Sequence, residues 1–519
     1  MKVHLLRSLV NPITLAGVVL FTISCVLVTD QPHMLMLTAA QLILVPVMLL
    51  QIIEFSRLNR VVTWIAMLSV FLLQFVSWSG GKLLLSIIYV GFTLLIASNG
   101  LKRFFRRGFT NWAEISIDVG LMYLFIGGLW FFSYINGVNT GFGPLITWLT
   151  AIHFHYSAFL LPVSLGLFGR IHESPMYRWI VPAILAGPML VAIGITFWPI
   201  LEVLSVLVYI VAIYSLIGLS FRTRFASRLQ AFLIRISYSA LGVTILFSML
   251  YALNSAFGFL YVSIGFMLLF HGLVNCILFG LAGVIGWGVS PPSSRQETCT
   301  FPVSRIKGGV QWTGKKHPGL VDDLKDFVDV DSLPHSIVHF YEHTEEYQLT
   351  ASVKWASWFK PMAWCFKLIS ARMQQLNLPL SSKRTEMTGE ILQVDPDLDG
   401  REQPRVWVRK VDQSTVFAAI YSRHETDGRT FMNIALPLPY SSMVGILQLK
   451  EFNGSLILTS EGEGDPGVYL AAGDILFKLP LSEHFFIRET SRGSLAASHN
   501  MKIFGMHFLN IEYMIYPRV

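Results

Sequence analysis

The chain has 519 residues, of which 53% are hydrophobic and only 14% charged, at a mean hydropathy of +0.56. That balance excludes an ordinary soluble globular protein, in which about a quarter of residues are charged, and indicates an integral membrane protein if the apolar residues fall in long runs. The first 290 residues hold 15 Lys and Arg against six Asp and Glu, whereas the remainder holds 24 against 26, so the basic character belongs to the apolar part and argues against nucleic-acid binding.

The runs do occur, up to about residue 290. Ten stretches are long enough to span a bilayer, at about 11–29, 33–53, 60–78, 81–98, 112–134, 144–168, 178–197, 199–220, 229–252 and 258–287. The first comes after Lys2 and Arg7 without a convincing cleavage site and reads as an uncleaved span. The seventh and eighth meet at the Trp198–Pro199 step, and short links of this kind predict antiparallel neighbours. Alternate loops carry Arg57 and Arg60, then Lys102, Arg103, Arg106 and Arg107, then Arg170 and Arg178, then Arg222, Arg224 and Arg228, while the opposite loops carry Lys82. The positive-inside rule then places both termini in the cytoplasm of a multi-pass membrane protein.

Polar groups at membrane depth are costly and mark sites worth testing. Asn111 and Glu114 read as an N-cap pair, and Asp118, one turn deeper, is a candidate ion-pair partner for Arg235. On the sixth span, Thr147, Thr150, His153, Ser157 and Ser164 fall on one helical face, predicted to point into the bundle or a wet cavity. His155 lies about 200° round the helix from His153, so it faces elsewhere and suits packing. Pro162 predicts a kink and a free carbonyl at Ala158. On the last span His271 and Asn275 are four residues apart and share a face, beside small residues suited to close helix contact. The candidate intramembrane polar site is therefore His153, His155, His271, Asn275, Thr150 and Ser157.

Pro291, Pro292, Ser293 and Ser294 open a linker over 291–318, which leads to a cytoplasmic domain over 319–519. Its first third reads as helical, with Asp322–Val330 short and acidic and Pro361–Leu376 amphipathic. From Thr388 onward RVWVRKV, TVFAAIY, MVGILQLKEF, GSLILTS, GVYLAAG and DILFKLP, broken by Asp-Gly and Asn-Gly, predict antiparallel strands. The fold class is thus an all-α polytopic bundle of about ten helices joined to a C-terminal α+β domain with an antiparallel sheet. HFYEH at 339–343 matches the H-x-x-E-H zinc-peptidase pattern, but Ile337, Val338, Phe340 and Tyr341 equally make this an amphipathic stretch with a buried face. Cys25, Cys276, Cys299 and Cys365 form no CxxC pair, and no phosphate-cradling G-x-x-x-x-G-K-[ST] loop occurs, which argues against a disulfide framework and an ATP-driven pump.

The stretches LTAIHFHYSAFLLP and FHGLVNCILFGLAGVIGW resemble the YndJ-like family of bacterial membrane proteins. HFYEHTEEYQL, ARMQQLNLP and the closing MHFLNIEYMIYP are similar to the C-terminal region of its longer members. The resemblance implies a multi-pass membrane protein whose transporter label rests on hydrophobic architecture, with no substrate, cofactor or catalytic residue to carry over. Three functions fit these features: a small-molecule transporter whose path passes His153 and His271, a membrane enzyme or metal-binding protein with those histidines as ligands, and a membrane-anchored sensor whose C-terminal domain binds an apolar ligand. The bilayer and an unidentified small molecule are the expected partners.

Overall fold

The computed structural model describes residues 10–27, 32–258, 262–295, 301–308, 313–373, 375, 377–411, 414–490 and 493–518; Lys2, Arg7 and Cys299 lie outside them. The chain divides into two compact units, Met1–Phe104 with Asn111–Gln296 and Phe105–Thr110 with Glu297–Val519.

Among its described residues the first unit is built of helices: α1 (Pro12–Leu27), α2 (Leu35–Ile52), α3 (Arg57–Leu73), α4 (Ser79–Arg107), α5 (Trp112–Ile135), α6 (Pro144–Gly169), α7 (Pro175–Phe197), α8 (Pro199–Arg222), α9 (Arg228–Phe257) and α10 (Ile264–Val289). The last three residues of α4 are grouped with the second unit. Eight of these are long and apolar enough to cross a membrane, and α1 and α3, at 16 and 17 residues, are shorter. Ser56, Asn111, Ser174 and Ser227 each accept a hydrogen bond from a backbone N–H of the helix they precede, which fixes where α3, α5, α7 and α9 begin. Trp198 ends α7 and Pro199 opens α8, so the tight hairpin expected at that step is present.

Helices α2, α6 and α10 are not uniform. Each contains wide π-helical turns, at Ala40–Leu44, Tyr156–Leu160, Met267–His271 and Asn275–Leu281. Pro46 and Pro162 each follow one of them after a single intervening residue, Val45 or Leu161. A proline has no N–H and crowds the carbonyl four residues back, and a turn with one extra residue relieves that clash. The kink expected at Pro162 therefore takes the form of a π turn.

Among the described residues, the second unit is built on twelve antiparallel strands: β1 (Tyr347–Trp355), β2 (Thr385–Gln393), β3 (Glu402–Val411), β4 (Ser414–Thr426), β5 (Arg429–Leu438), β6 (Ser441–Phe452), β7 (Ser455–Thr459), β8 (Gly467–Ala472), β9 (Ile475–Lys478), β10 (Leu481–Glu489), β11 (Leu495–Ile503) and β12 (Met506–Pro517). Ten close into a barrel in the order β1-β2-β3-β4-β5-β6-β7-β10-β11-β12, with β12 returning to β1. Strand β6 makes closure possible by changing partners along its length. Its first half pairs with β5 on one edge and β8 on the other, and Gln448–Phe452 pairs with β7. Asp427-Gly428 and Asn453-Gly454 join β4 to β5 and β6 to β7 as two-residue turns, all four residues at positive φ between 51° and 70°. That is the hairpin geometry whose twist matches the strands and which Asn-Gly and Asp-Gly adopt at least cost.

Burial on both faces explains the near-continuous apolar runs. Along β3 and β4, Trp407, Arg409, Phe417, Ala419 and Tyr421 face the lumen, and Val406, Val408, Ala418 and Ile420 face an outer core with Phe301 and Tyr469. Two helices complete the unit, α11 (His335–Glu342) and α12 (Lys360–Met373), with a single helical turn α13 (Pro396–Asp399). The acidic helix expected at Asp322–Val330 shrinks to a 3-10 turn at Leu324–Asp326, and β1 occupies part of the region expected to be helical.

Candidate functional site

In the helical unit the sixth-span stripe is divided by the π turn at Tyr156–Leu160, since one inserted residue rotates the remainder of the helix by roughly 100°. Thr150 Oγ1 and His153 Nδ1 donate to the carbonyls of Ile146 and Leu149 on their own helix, at 2.8 and 2.6 Å. Ser157 is half-buried. Ser164, beyond the turn, instead accepts from Trp287 Nε1 at 2.7 Å and lies 3.1 Å from the Tyr238 hydroxyl.

His155 is packed, as its face suggests, whereas His153 does not enter the bundle interior. His155 is fully buried, bonded through Nδ1 to Ala151 O at 2.8 Å and through Nε2 to Tyr89 OH at 2.7 Å. A carbonyl only accepts, so Nδ1 carries the proton and the phenol donates to Nε2. The ring is saturated and stacks on Tyr89. His153 is exposed, and among the described residues its Nε2 has no hydrogen-bond partner. His271 Nδ1 contacts Thr244 O at 3.2 Å, and Thr244 Oγ1 donates to Asn275 at 3.0 Å, so the shared face of His271 and Asn275 meets α9 at one residue. His153 and His271 are near enough to interact electrostatically.

The expected pairing of Asp118 with Arg235 is not formed. Asp118 is bound by Arg103 Nε at 2.7 Å. Arg235 reaches the C-terminal carbonyls of the neighbouring α8, at Ser220, Phe221 and Thr223, and lies over Phe221 and Phe225. A helix C-terminus offers unpaired carbonyls and partial negative charge, which an antiparallel neighbour's arginine satisfies without a carboxylate. Glu114 likewise does not serve as the capping partner of Asn111. Its fully buried carboxylate binds Arg103 at 2.6 Å and Arg170 at 2.7 and 3.0 Å, and also accepts from Ser294 Oγ and the Arg295 N–H. Asn111 caps alone, through the Ala113 N–H.

The H-x-x-E-H segment lies at the C-terminal end of α11, with His343 just past the last helical residue, and Ile337, Phe340 and Tyr341 of that helix are buried. Glu342 accepts from the Leu324 N–H, and His339 and His343 face Glu346. Among the described residues no group of three or more His, Cys, Asp or Glu is placed to hold a metal.

A cavity of about 360 Å³ lies inside the barrel. Such a volume falls within the range of roughly 300–1,000 Å³ of small-molecule sites. Its lining is apolar except for Arg409, Glu483, His499 and three tyrosines. Glu483 and His499, on β10 and β11, pair at 3.2 Å, and the His499 ring stacks on Phe485 at 3.7 Å. Arg409 lies between Trp407 and Phe417, 4.4 and 4.3 Å from their ring centres. Burial pushes the Tyr421 phenol up to about 12, with Arg409 opposing the rise and Tyr513 and Glu483 adding to it. Sequence reasoning missed this group. The available signal was a charge at the aromatic parity of RVWVRKV, where Arg409 comes two residues after Trp407. Helix α12 presents Phe366 to the cavity while exposing Met362, Trp364 and Leu368, and Trp358 just before it is also exposed.

The sequence pattern of the YndJ-like protein family matches residues 35–279. A Bacillus subtilis (strain 168) protein described as uncharacterized membrane protein YndJ is 38% identical over 469 residues, covering 85% of each chain. No solved structure matches.

Proposed function

The chain belongs to the YndJ-like family of membrane proteins, and from that premise we propose that its C-terminal barrel binds an acyl-chain ligand while the helical unit anchors it in the bilayer. The observation that carries this reading is the apolar cavity of about 360 Å³ inside a closed barrel. Close-packed interiors leave few voids larger than a water molecule, and an apolar space of this size is suited to an apolar occupant rather than to water. The exposed Trp358, Met362, Trp364 and Leu368, flanked by Lys360 and Lys367, form a surface of the type that partitions into a lipid interface, which favours a lipid-derived occupant over a water-soluble one. The basic loops favour a barrel on the cytoplasmic side of the inner membrane.

Photolabelling tests the reading. The full chain in lipid nanodiscs is irradiated with a palmitic acid carrying a tail diazirine, and labelled peptides are mapped. Label on the strands bearing Trp407, Phe485 or Ile511, displaced by excess unlabelled palmitate, is expected. Label confined to α1–α10 contradicts the proposal.

The electrostatic proximity of His153 and His271 favours a second reading, a small-molecule carrier with these rings beside a wet intramembrane path. Diethyl pyrocarbonate, a water-soluble histidine reagent, is then expected to modify His153 and spare the saturated His155. Protection of both sinks this reading.

A further inference from the structure

The cavity has a chemical polarity that the volume alone does not convey. Two buried arginines of the barrel unit show it by contrast. Arg401 is 4% exposed, and its five donors are all used: two on Asp399, two on Asn433 and one on Ile420 O. That is a cation built to stay where it is. Arg409 is 9% exposed, and its Nε has no hydrogen-bond partner. No carboxylate among the described residues pairs with it. Glu483, the acidic residue lining the same cavity, is engaged by His499 at 3.2 Å.

A buried cation without an anion is costly, and one held in a fixed position facing a cavity is suited to an anion that arrives. The position is fixed by the rings of Trp407 and Phe417 on either side. Cation–π contact stabilises the guanidinium without consuming its N–H donors. Tyr513 lines the same cavity and adds a neutral O–H donor to the wall. The rest of the wall is hydrocarbon and aromatic.

We infer that the barrel cavity takes a single-tailed amphiphile with an anionic head, the head pairing with Arg409 and Tyr513 and the tail lying along the apolar wall. The inference rests on the acyl-chain reading above and specifies its head group. The shared chemistry is a carboxylate or phosphate monoanion on one alkyl chain, from either a free acid or a lysophospholipid.

The test uses the full chain in nanodiscs and two probes with the same diazirine-bearing tail, palmitic acid and hexadecanol. The acid is expected to label the barrel strands about tenfold more than the alcohol, the scale of one charge-assisted hydrogen bond. In Arg409→Gln the preference disappears, and in Arg409→Lys part of it remains. Equal labelling by acid and alcohol in the unaltered chain overturns the head-group assignment while leaving the acyl-chain reading intact. Absence of barrel labelling by both probes overturns the two together. The acid-to-alcohol ratio in the unaltered chain decides the matter even if Arg409→Gln fails to fold. Unlabelled lysophosphatidic acid competing better than palmitate assigns the anion to a phospholipid source, and weaker competition assigns it to a free acid.

Discussion

Glu114 is the residue on which the helical unit concentrates its charge. Its carboxylate joins Arg103 of α4, Arg170 just past α6 and the chain at Ser294–Arg295, and Asp118 binds the same Arg103. Removing one member of a buried ion cluster leaves the others uncompensated and costs about 3–5 kcal/mol. Glu114→Gln is therefore expected to lower the thermal unfolding midpoint of the detergent-solubilised chain by several degrees, whereas Arg235→Gln, which caps carbonyls at a surface, moves it little. A midpoint unchanged by Glu114→Gln contradicts the cluster. The sequence showed each of these charges but not their pairing. Asp118 and Arg235 were matched by depth alone, and depth does not say which helices are neighbours. In the barrel, burial lowers the pKa of His424, with Asp465 opposing and Arg401 adding to the fall. A depressed value means that the folded state prefers the neutral ring. The associated stability is present above the unfolded value of about 6.5 and is lost as pH falls below it. Amide exchange in β4 and β5, corrected for intrinsic rates, is expected to quicken from pH 7.5 to 5.5, and His424→Gln flattens that dependence. Equal pH sensitivity in the variant removes His424 as its source.

At the scale of elements, small residues decide how closely helices approach. A Cβ on Gly17 of α1 would stand 2.1 Å from the Leu42 carbonyl oxygen in the π turn of α2, whereas one on Gly91 or Gly218 meets nothing within 4 Å. Gly17→Val is accordingly expected to lower the unfolding midpoint well below those of Gly91→Val and Gly218→Val, which report helix propensity alone. Equal shifts for all three place no close contact at Gly17. The helices themselves were legible because length and apolarity determine them. The π turns were not, since an inserted residue leaves no mark in composition. The stripe from Thr147 to Ser164 was drawn on a uniform 3.6-residue period and fails beyond Tyr156 for that reason. Strands β3, β4 and β6 through β9 were legible from their runs and their Asp-Gly and Asn-Gly turns. Strand β1, TASVKW after YQL, mixes polar and apolar residues on a half-covered wall and gave a weaker signal.

For the whole molecule, composition identified a membrane protein and pattern identified an antiparallel C-terminal sheet, but neither indicated that the sheet closes. Closure depends on β6 exchanging β5 and β8 for β7 and on β12 returning to β1, pairings between residues up to 170 positions apart. The candidate site moved with that closure, from histidines visible in an apolar run to a cavity whose wall is assembled from both ends of the domain. Barrel, cavity and the cation at its wall make ligand capture the central claim. The most direct measurement is a cryo-electron microscopy map of the full chain in nanodiscs containing palmitate. Continuous elongated density inside the barrel, running along Phe485 and Ile511 and ending at Arg409, is predicted. A barrel lumen that is empty, or filled by rearranged side chains, contradicts it.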